Sequence, residues 1–526
     1  PAVCLESSAC GGADDSWRPA NDSTVGWHAV TDSTAGRPGQ TRPPGSARPD
    51  PERRTRLLAA GAVTLQGLGD ILKPLGAVFE DAGHELYLVG GSVRDAILGR
   101  LGNDLDFTTD ARPERVVELI TGWADAVWDV GIEFGTVGAR KGEAMIEITT
   151  FRADVYDQVG RNPQVTFGDT LDGDLVRRDF TINAMAVAIG AAGAGELHDP
   201  LDGVTAVLAG VIDTPSAPEN SFGDDPLRML RAVRFVSQLG FALAPRVTDA
   251  ISRMAPEIDR ITAERVRAEL DKLICGEYPI DAIDAMVDTG LAQRVLPEVP
   301  GMKLTIDEHH QHKDVYQHSL TVLRQAIDLE EGDPDLVLRW AALLHDIGKP
   351  DTRKHEPGGG VSFHHHEVVG AKMVRKRMRA LKYPNAVVSE VSDLVYLHLR
   401  FHGYGDGTWT DSAVRRYVTD AGGLLDRLHK LVRADCTTRN KRRARRLQQN
   451  YDHLEQRIAA LQEAEDLDRV RPDLDGNAIM ELLGLPPGPL VGQAWRYLKE
   501  LRLDRGPLSR EEAEDALREW WAERQK

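Results

Sequence analysis

Between residues 104 and 107 the chain reads Asp-Leu-Asp-Phe, and that alternation constrains everything around it. Side chains along a strand point to opposite faces in turn. Asp104 and Asp106 therefore share one face, while Leu105 points to a core. The segment Ile146-Glu147-Ile148 repeats the pattern, with Glu147 facing away from both apolar neighbours. Carboxylates crowded on one strand face repel each other unless a cation lies between them. Mg²⁺ takes hard oxygen ligands and combines carboxylates with substrate phosphates. Three such acids can hold two Mg²⁺ for an in-line displacement.

Fourteen residues before Asp104 the chain has Gly90 and Gly91, then Arg94. Glycines let a backbone approach a triphosphate closely. The helix start that follows offers free N–H groups to an anion, and Arg94 adds a fixed cationic fork. Glycines and arginine for phosphates, then acids for metal, make a nucleotidyl-transfer arrangement.

The surrounding pattern divides the chain. Residues 1–52 are rich in Gly, Pro, Ser, Thr, Asp and Asn, and too poor in apolar residues to offset ordering entropy, so disorder is expected. A helical segment is expected over 56–82, then a strand in Glu-Leu-Tyr-Leu-Val-Gly-Gly, a helix starting at Arg94, and a helix with proline near its start over 111–122. Residues 135–140 and 144–152 read as antiparallel neighbouring strands. From Asp224 onward nearly every segment has helical periodicity, including one run over 224–240. The expected fold class is α+β: a mixed head over 56–190, a helical neck over 191–300, a metal-binding helical domain over 301–450 and a helical tail over 451–526.

No stretch approaches the length of an apolar membrane span, and the start of the sequence lacks a signal-peptide pattern, so the chain reads as cytoplasmic with no membrane partner. The four cysteines, Cys4, Cys10, Cys275 and Cys436, form no Cys-x-x-Cys pair. No obligate protein partner is readable. The net charge of −18 argues against a general nucleic-acid coat protein. Positive charge is nonetheless concentrated over 427–446, with nine Lys/Arg and one Asp, and again over 372–382, which makes candidate tracks for phosphates.

Leu-Val-Gly-Gly-Ser-Val-Arg-Asp and Asp-Leu-Asp-Phe are followed in order by Gly-Ile-Glu-Phe-Gly-Thr-Val, Ile-Glu-Ile-Thr-Thr-Phe-Arg, Arg-Arg-Asp-Phe-Thr-Ile-Asn-Ala-Met-Ala, His-Asp-Pro-Leu-Asp-Gly and Asp-Asp-Pro-Leu-Arg-Met-Leu-Arg-Ala-Val-Arg-Phe. This series resembles the class II tRNA nucleotidyltransferases, the CCA-adding enzymes and their relatives the bacterial poly(A) polymerases. The likeness covers about residues 85–275 and extends more weakly to the tail. It implies a polymerase-β-like head that adds CCA to the 3′ end of tRNA from CTP and ATP, with Mg²⁺ as cofactor. Gly91 and Arg94 match the triphosphate positions, Asp104 and Asp106 the metal ligands, and Glu147 the third acid. Arg178 matches a nucleotide-contacting arginine, with Asp179 and Asn183 placed to orient the ribose; a capping role for Asp179 is compatible with this.

Asp225 and Arg228 lie three residues apart and are expected on one helix face. A carboxylate only accepts and a guanidinium only donates. Cytosine and adenine both present an amino donor beside a ring-nitrogen acceptor, which fits that pair. Guanine and uracil present the reverse and would leave buried groups unpaired. Arg231 and Arg234 continue the face toward phosphates. The family usually has Glu-Asp where this chain has Asp224-Asp225, and the base-reading acid is retained.

A second set of motifs, around His318, His345-Asp346, His366, His398 and Asp435, looks like an HD-type metal domain. His318, His345, Asp346 and Asp435 match its four-ligand pattern, and His366 and His398 match positions for a second metal or a phosphate. Mixed imidazole and carboxylate ligands suit a divalent transition metal. Two alternatives compete with CCA addition. One is a poly(A) polymerase on the same scaffold, disfavoured because the chain ends in an acidic helix rather than a long basic extension. The other is an HD phosphohydrolase with an RNA-binding head, disfavoured by the intact acids. Whether addition is full CCA, CC alone or A alone is expected to depend on a loop within Val155 to Asp169.

Overall fold

In the computed structural model, the described residues are 51–129, 131–154, 165–168, 170–303, 314–357, 361–401, 409–436, 441–465 and 471–525. Disorder expected over 1–50 and most of the loop expected within Val155 to Asp169 lie outside them. Residues 51 and 52 already belong to a helix, Pro51–Gly67, which a second helix, Gly69–Asp81, follows after Leu68.

The head is built on a mixed sheet of seven strands. In chain order the strands are β1 (Leu86–Val89), β2 (Asp104–Thr109), β3 (Ala126–Trp128), β4 (Thr136–Lys141), β5 (Ala144–Thr150), β6 (Arg152–Asp154), β7 (Val165–Phe167), β8 (Ala186–Gly190) and β9 (Gly193–His198). The sheet order is β3-β4-β5-β2-β1-β8-β9, with β6 and β7 forming a separate pair. Strand β2 runs parallel to β5, whereas β4 and β5 are antiparallel, as the sequence suggested. Because β9 belongs to this sheet, the head sheet continues past residue 190.

One face of the sheet is sealed. Leu105, Phe107, Ile146 and Ile148 are buried there, in one core with Leu72, Leu75 and Phe79 of Gly69–Asp81. The alternate positions Asp104, Asp106 and Glu147 are exposed on the other face. Burying the four apolar side chains contributes roughly 1.5–3 kcal/mol each, so a one-residue slip that moved the acids inside is strongly disfavoured.

Past the head the chain is helical. The 224–240 segment is not one helix. A short helix ends at Asp224, Asp225 is extended, Pro226 caps the turn, and a new helix runs Leu227–Leu239. Pro226 explains the break, since the residue before a proline is pushed out of the helical region. The helix Ala263–Ile274 packs on Leu227–Leu239. The body then brings together Val315–Ile327, Leu336–Leu344, His366–Ala380, Asn385–Leu397 and Leu425–Asp435. One apolar core runs from Leu65 to Ile458, and the tail helices close a smaller core around Ile479, Leu498 and Leu517.

Arg339 ties neck to body. It is buried, yet its donors are matched: Nε and Nη2 donate to Glu330, and Nη1 donates to the carbonyls of Ile274 and Gly276 at 2.9 and 2.8 Å. The Ile274 carbonyl ends the helix Ala263–Ile274 and has no partner within it, and the Gly276 carbonyl follows just past the cap. Arg339→Ala would leave Glu330 and two carbonyls buried without their donor. The expected loss is about 3–5 kcal/mol of unfolding free energy, read as a fall in the urea midpoint. A midpoint equal to the parent's would show that the clamp carries no stability.

Candidate functional site

The parallel register of β2 and β5 sets Asp106 directly beside Glu147, with strands about 4.8 Å apart. Asp104 lies two residues earlier on the same face. Asp106 is open to the cleft, but the surrounding walls strip it of water, and this loss of hydration, then the neighbouring Glu147, raises its pKa, while Arg178 opposes the shift. Acids whose charges oppose each other in this way suit a divalent cation bound to oxygen.

Two clefts meet at Asp106 and Arg231. The first, of about 490 Å³, is lined by Asp106, Glu147, Arg178, Asp179, Asp225 and Arg228 among others. The second, of about 430 Å³, is lined by Gly91, Arg94, Asp104, Asp106, Asn183, Arg231, Arg234 and Phe235. All the expected head residues thus lie at one site. Gly90, with φ +68°, turns the chain between them. That conformation requires glycine, and a Cβ there would also stand 3.0 Å from Nη1 of Arg178.

The internal partners differ from those the spacing suggested. Asp225 and Arg228 line the same cleft, but Asp225 precedes the helix rather than sharing its face, and they are joined only through the backbone, Arg228 N–H donating to the Asp225 carbonyl at 3.0 Å, while their side chains bond elsewhere. Asp225 accepts from the Leu227 N–H at 3.1 Å and from Arg265 at 2.8 Å. Arg228 donates to Ser221 Oγ and to the carbonyl of Arg177, both at 2.9 Å. Arg94 donates to Asn183 at 2.6 Å and forks onto Asp95. Arg234 is buried against Glu269 at 3.0 Å, so it forms part of the inner wall of the second cleft rather than projecting toward solvent. Burial pulls Arg234 down to about 10 despite Glu269.

Asp179 is the junction. Its carboxylate accepts from the N–H of Phe180 at 2.9 Å, from the Asn183 amide at 3.0 Å and from Arg231 Nε at 2.9 Å. Asp179 is not the cap of the short helix Thr181–Asn183, whose N-cap is Phe180 and which has no side-chain cap bond; its carboxylate is instead occupied by the next N–H and by side chains. Burial alone would raise Asp179, but Arg231, followed by Asn183, outweighs it and holds the group down to about 2. Sequence reasoning missed Arg265, Glu269 and Ser221, because their partners lie 35 or more residues away or across a helix break; the one local signal was the clustering of Arg265 and Glu269 on a single helix.

The second constellation also assembles. Asp346 sits between two pairs of imidazoles. Its Oδ2 lies 3.4 Å from His318 and 3.2 Å from His345, and its Oδ1 lies 3.2 Å from His366 and 3.9 Å from His398. Asp435 closes the first pair at 2.9 Å from His318 and 3.6 Å from His345. Nδ1 of His345, His366 and His398 lies 2.9, 2.8 and 2.6 Å from the carbonyls of Ala342, Phe363 and Val395. A carbonyl only accepts, so Nδ1 carries the proton and Nε2 presents its lone pair inward. The Nε2 atoms of His366 and His398 are buried without a hydrogen-bond partner. The groups His318–His345–Asp346 and Asp346–His366–His398 each bring their ligand atoms close enough together to hold a metal ion. Burial, with His345 nearby, drives His398 down to about 3, which keeps it neutral. For His345 burial works downward and Asp346 overrides it upward. Burial would raise Asp346 and Asp435, but their histidine neighbours lower both. Lys349, also missed, donates to Asp346 at 2.6 Å.

The basic runs are only partly available. Arg427 pairs with Asp335 and Glu390, Lys430 with Asp426, and Arg433 with Asp452 and Glu455. Arg445 and Arg446 are exposed on the helix Lys441–Ala464, while the side chains of Lys441 and Arg443 lie outside the described residues.

Comparison with known proteins follows the same division. Residues 86–213 match the family described as Poly A polymerase head domain, 240–302 the probable RNA and SrmB-binding site of polymerase A, and 315–463 the HD domain. The A-adding tRNA nucleotidyltransferase of Deinococcus radiodurans is 34% identical over 447 residues, covering 83% of this chain and 95% of that protein. The chain belongs to the tRNA nucleotidyltransferase family. A CCA-adding enzyme of Geobacillus thermodenitrificans is 31% identical over 79% of this chain and 88% of its own length. The crystal structure of the Bacillus stearothermophilus CCA-adding enzyme in complex with CTP superposes with a TM-score of 0.62 at 26% identity, covering 89% of this chain and 98% of that one. The family's head is thus the polymerase-β-like fold expected from the motifs, followed by a helical body with an HD domain. No helix of the described residues is long and apolar enough to cross a membrane.

A carboxylate held low stabilises the fold above its ordinary range and loses that contribution as pH falls through its folded value. For Asp179 the window is about pH 4 down to about 2. Over it the parent should lose roughly 2 kcal/mol that Asp179→Asn does not lose. Urea midpoints measured against pH check this; parallel curves for the two proteins would remove Asp179 from the pH response.

Proposed function

We propose that this chain extends the 3′ end of tRNA with C and A from CTP and ATP, without a nucleic-acid template, releasing pyrophosphate. The observation that supports this most directly is the placing of Asp106 and Glu147 on the floor of a cleft whose wall carries Asp225 and Arg228. One element offers the acids that phosphoryl transfer needs, and the other offers an acceptor and a donor for a base edge.

Asp104, Asp106 and Glu147 are the groups that would hold Mg²⁺, which when bound polarises the α-phosphate and lowers the pKa of the attacking hydroxyl. Gly90, Gly91 and Arg94 border the path of the triphosphate, with Arg178 beside the acids. Asp225 accepts the exocyclic amino group of cytosine or adenine and Arg228 donates to the neighbouring ring nitrogen. To do so Arg228 turns from Ser221 and the Arg177 carbonyl toward the base. Asp179 and Asn183 orient Arg231 and Arg94 rather than touching the nucleotide. The exposed arginines of Lys441–Ala464 supply phosphate contacts for tRNA.

The relatives include an A-adding and a CCA-adding enzyme, so the extent of addition is the point to measure. Transcripts of tRNA ending before C, before the second C and before A are incubated with each NTP, and the products are sequenced. Addition of both C and A supports the full reaction, whereas unlimited A addition to any RNA would instead support a poly(A) polymerase. Asp106→Asn should lower addition by about 10³-fold or more while tRNA binding stays within about twofold. Turnover near the parent's would remove Asp106 from the chemistry.

The HD cluster would hold a divalent transition metal through His318, His345, Asp346 and Asp435, with His366 and His398 completing a second position. Gly348 makes this possible, because a Cβ there would meet the His366 carbonyl at 2.2 Å. Elemental analysis of untagged protein should find bound metal, and chelation should lower the melting midpoint. Gly348→Ala should push His366 away from Asp346, reduce the metal content and blunt the chelator effect. Absence of Mn, Fe, Co, Ni and Zn alike would leave this domain as a scaffold.

A further inference from the structure

Phe235 is shared by three arginines. The guanidinium carbons of Arg94, Arg231 and Arg234 lie 5.1, 5.9 and 4.3 Å from its ring centroid. The ring is buried and braced edge-on by Phe180, with centroids 5.6 Å apart at 86°. Phe235 and the three arginines line the second cleft together, with Asp104 and Asp106.

Each arginine also has its own carboxylate: Asp95 for Arg94, Asp179 for Arg231 and Glu269 for Arg234. Glu269 also reaches Arg231 at 3.9 Å and so ties Arg231 to Arg234, but among the described ion pairs no single carboxylate reaches all three guanidiniums. Like charges brought this close repel each other, and burial adds a cost, visible at Arg234. What the three have in common is the ring. A phenyl quadrupole attracts a cation within about 6 Å of its centroid, most strongly where water is excluded.

We propose that Phe235 is a positioning residue for the polyphosphate of the incoming nucleotide: its ring gathers Arg94, Arg231 and Arg234 into one cationic wall beside Asp104 and Asp106. This rests on the assignment of that cleft to nucleotide phosphates made above. An NTP and free pyrophosphate share the chemistry, so the wall serves both substrate entry and product release.

The full chain is prepared with Phe235 replaced by mono-, di- and trifluorophenylalanine, which keep the ring's shape while weakening its quadrupole stepwise. The KM for CTP and ATP, the inhibition constant of pyrophosphate and the melting midpoint are measured across the series. Log KM and the log inhibition constant should rise in step with the number of fluorines, by about fivefold in total, with kcat moving less than KM. Phe235→Leu should raise KM at least as far, and Phe235→Tyr, which restores a ring, should recover most of the loss. A flat KM and a flat midpoint across the series, with Asp106→Asn still inactive, would overturn the role of the ring and leave the catalytic assignment standing. A falling midpoint with unchanged KM and pyrophosphate inhibition would mean that the ring holds the arginines but the cleft does not hold phosphates, which overturns both this role and that assignment.

Discussion

The carboxylate of Asp179 holds the reacting end of the molecule together. It receives hydrogen bonds from its own segment, through Phe180 and Asn183, and from the helix Leu227–Leu239, through Arg231. Asn183 in turn receives Arg94 from the glycine-turn helix. A single buried acid thus connects the turn beside the acids to the helix whose first turn carries Arg228. In low dielectric such a group is costly unless every lone pair is used, and here the arrangement comes close to using them all. The consequence is geometric. The glycine-turn helix and the helix Leu227–Leu239 are thereby braced through one carboxylate, Oδ1 on the side of Asn183 and Oδ2 on the side of Arg231.

That bracing also explains why so many charges can crowd a site that must still admit a polyanion. Arginines face the acids of the sheet, and most of those arginines are already paired: Arg94 with Asp95, Arg178 with Asp174, Arg231 with Asp179, Arg234 with Glu269. A paired guanidinium is held in one orientation, and a held donor loses little entropy when a phosphate arrives. The protein spends fixed carboxylates to pre-arrange cations, so the cleft is ordered before a nucleotide enters it.

In the body the same logic appears with imidazoles. Backbone carbonyls three residues upstream set the tautomer of His345, His366 and His398, and Asp346 lies between the two imidazole pairs. The helices that carry them approach closely where Gly348 meets the backbone of His366–Ala380. Arg339 links this body to the end of the neck helix that also carries Arg265 and Glu269, so the two sites lie on one continuous core while using separate side chains.

Sequence by itself determined the elements whose signal is local. Alternation placed Asp104, Asp106 and Glu147 on the open side of a sheet, because strand faces follow from period two. Motif order identified the family and the mixed head, and it singled out two sets of residues that the fold brings together. It did not reveal that Pro226 breaks the helix between Asp225 and Arg228, since spacing of three reads the same whether or not the turn is helical. Nor did it reveal that Arg265 reaches Asp225 across 40 residues, or that Asp179 is consumed by Arg231 across 52. Those contacts depend on how helices cross, and crossing is decided by side-chain volumes throughout a shared core. Residue types and periods are written along the chain; the partners of each charge exist only once the chain is folded.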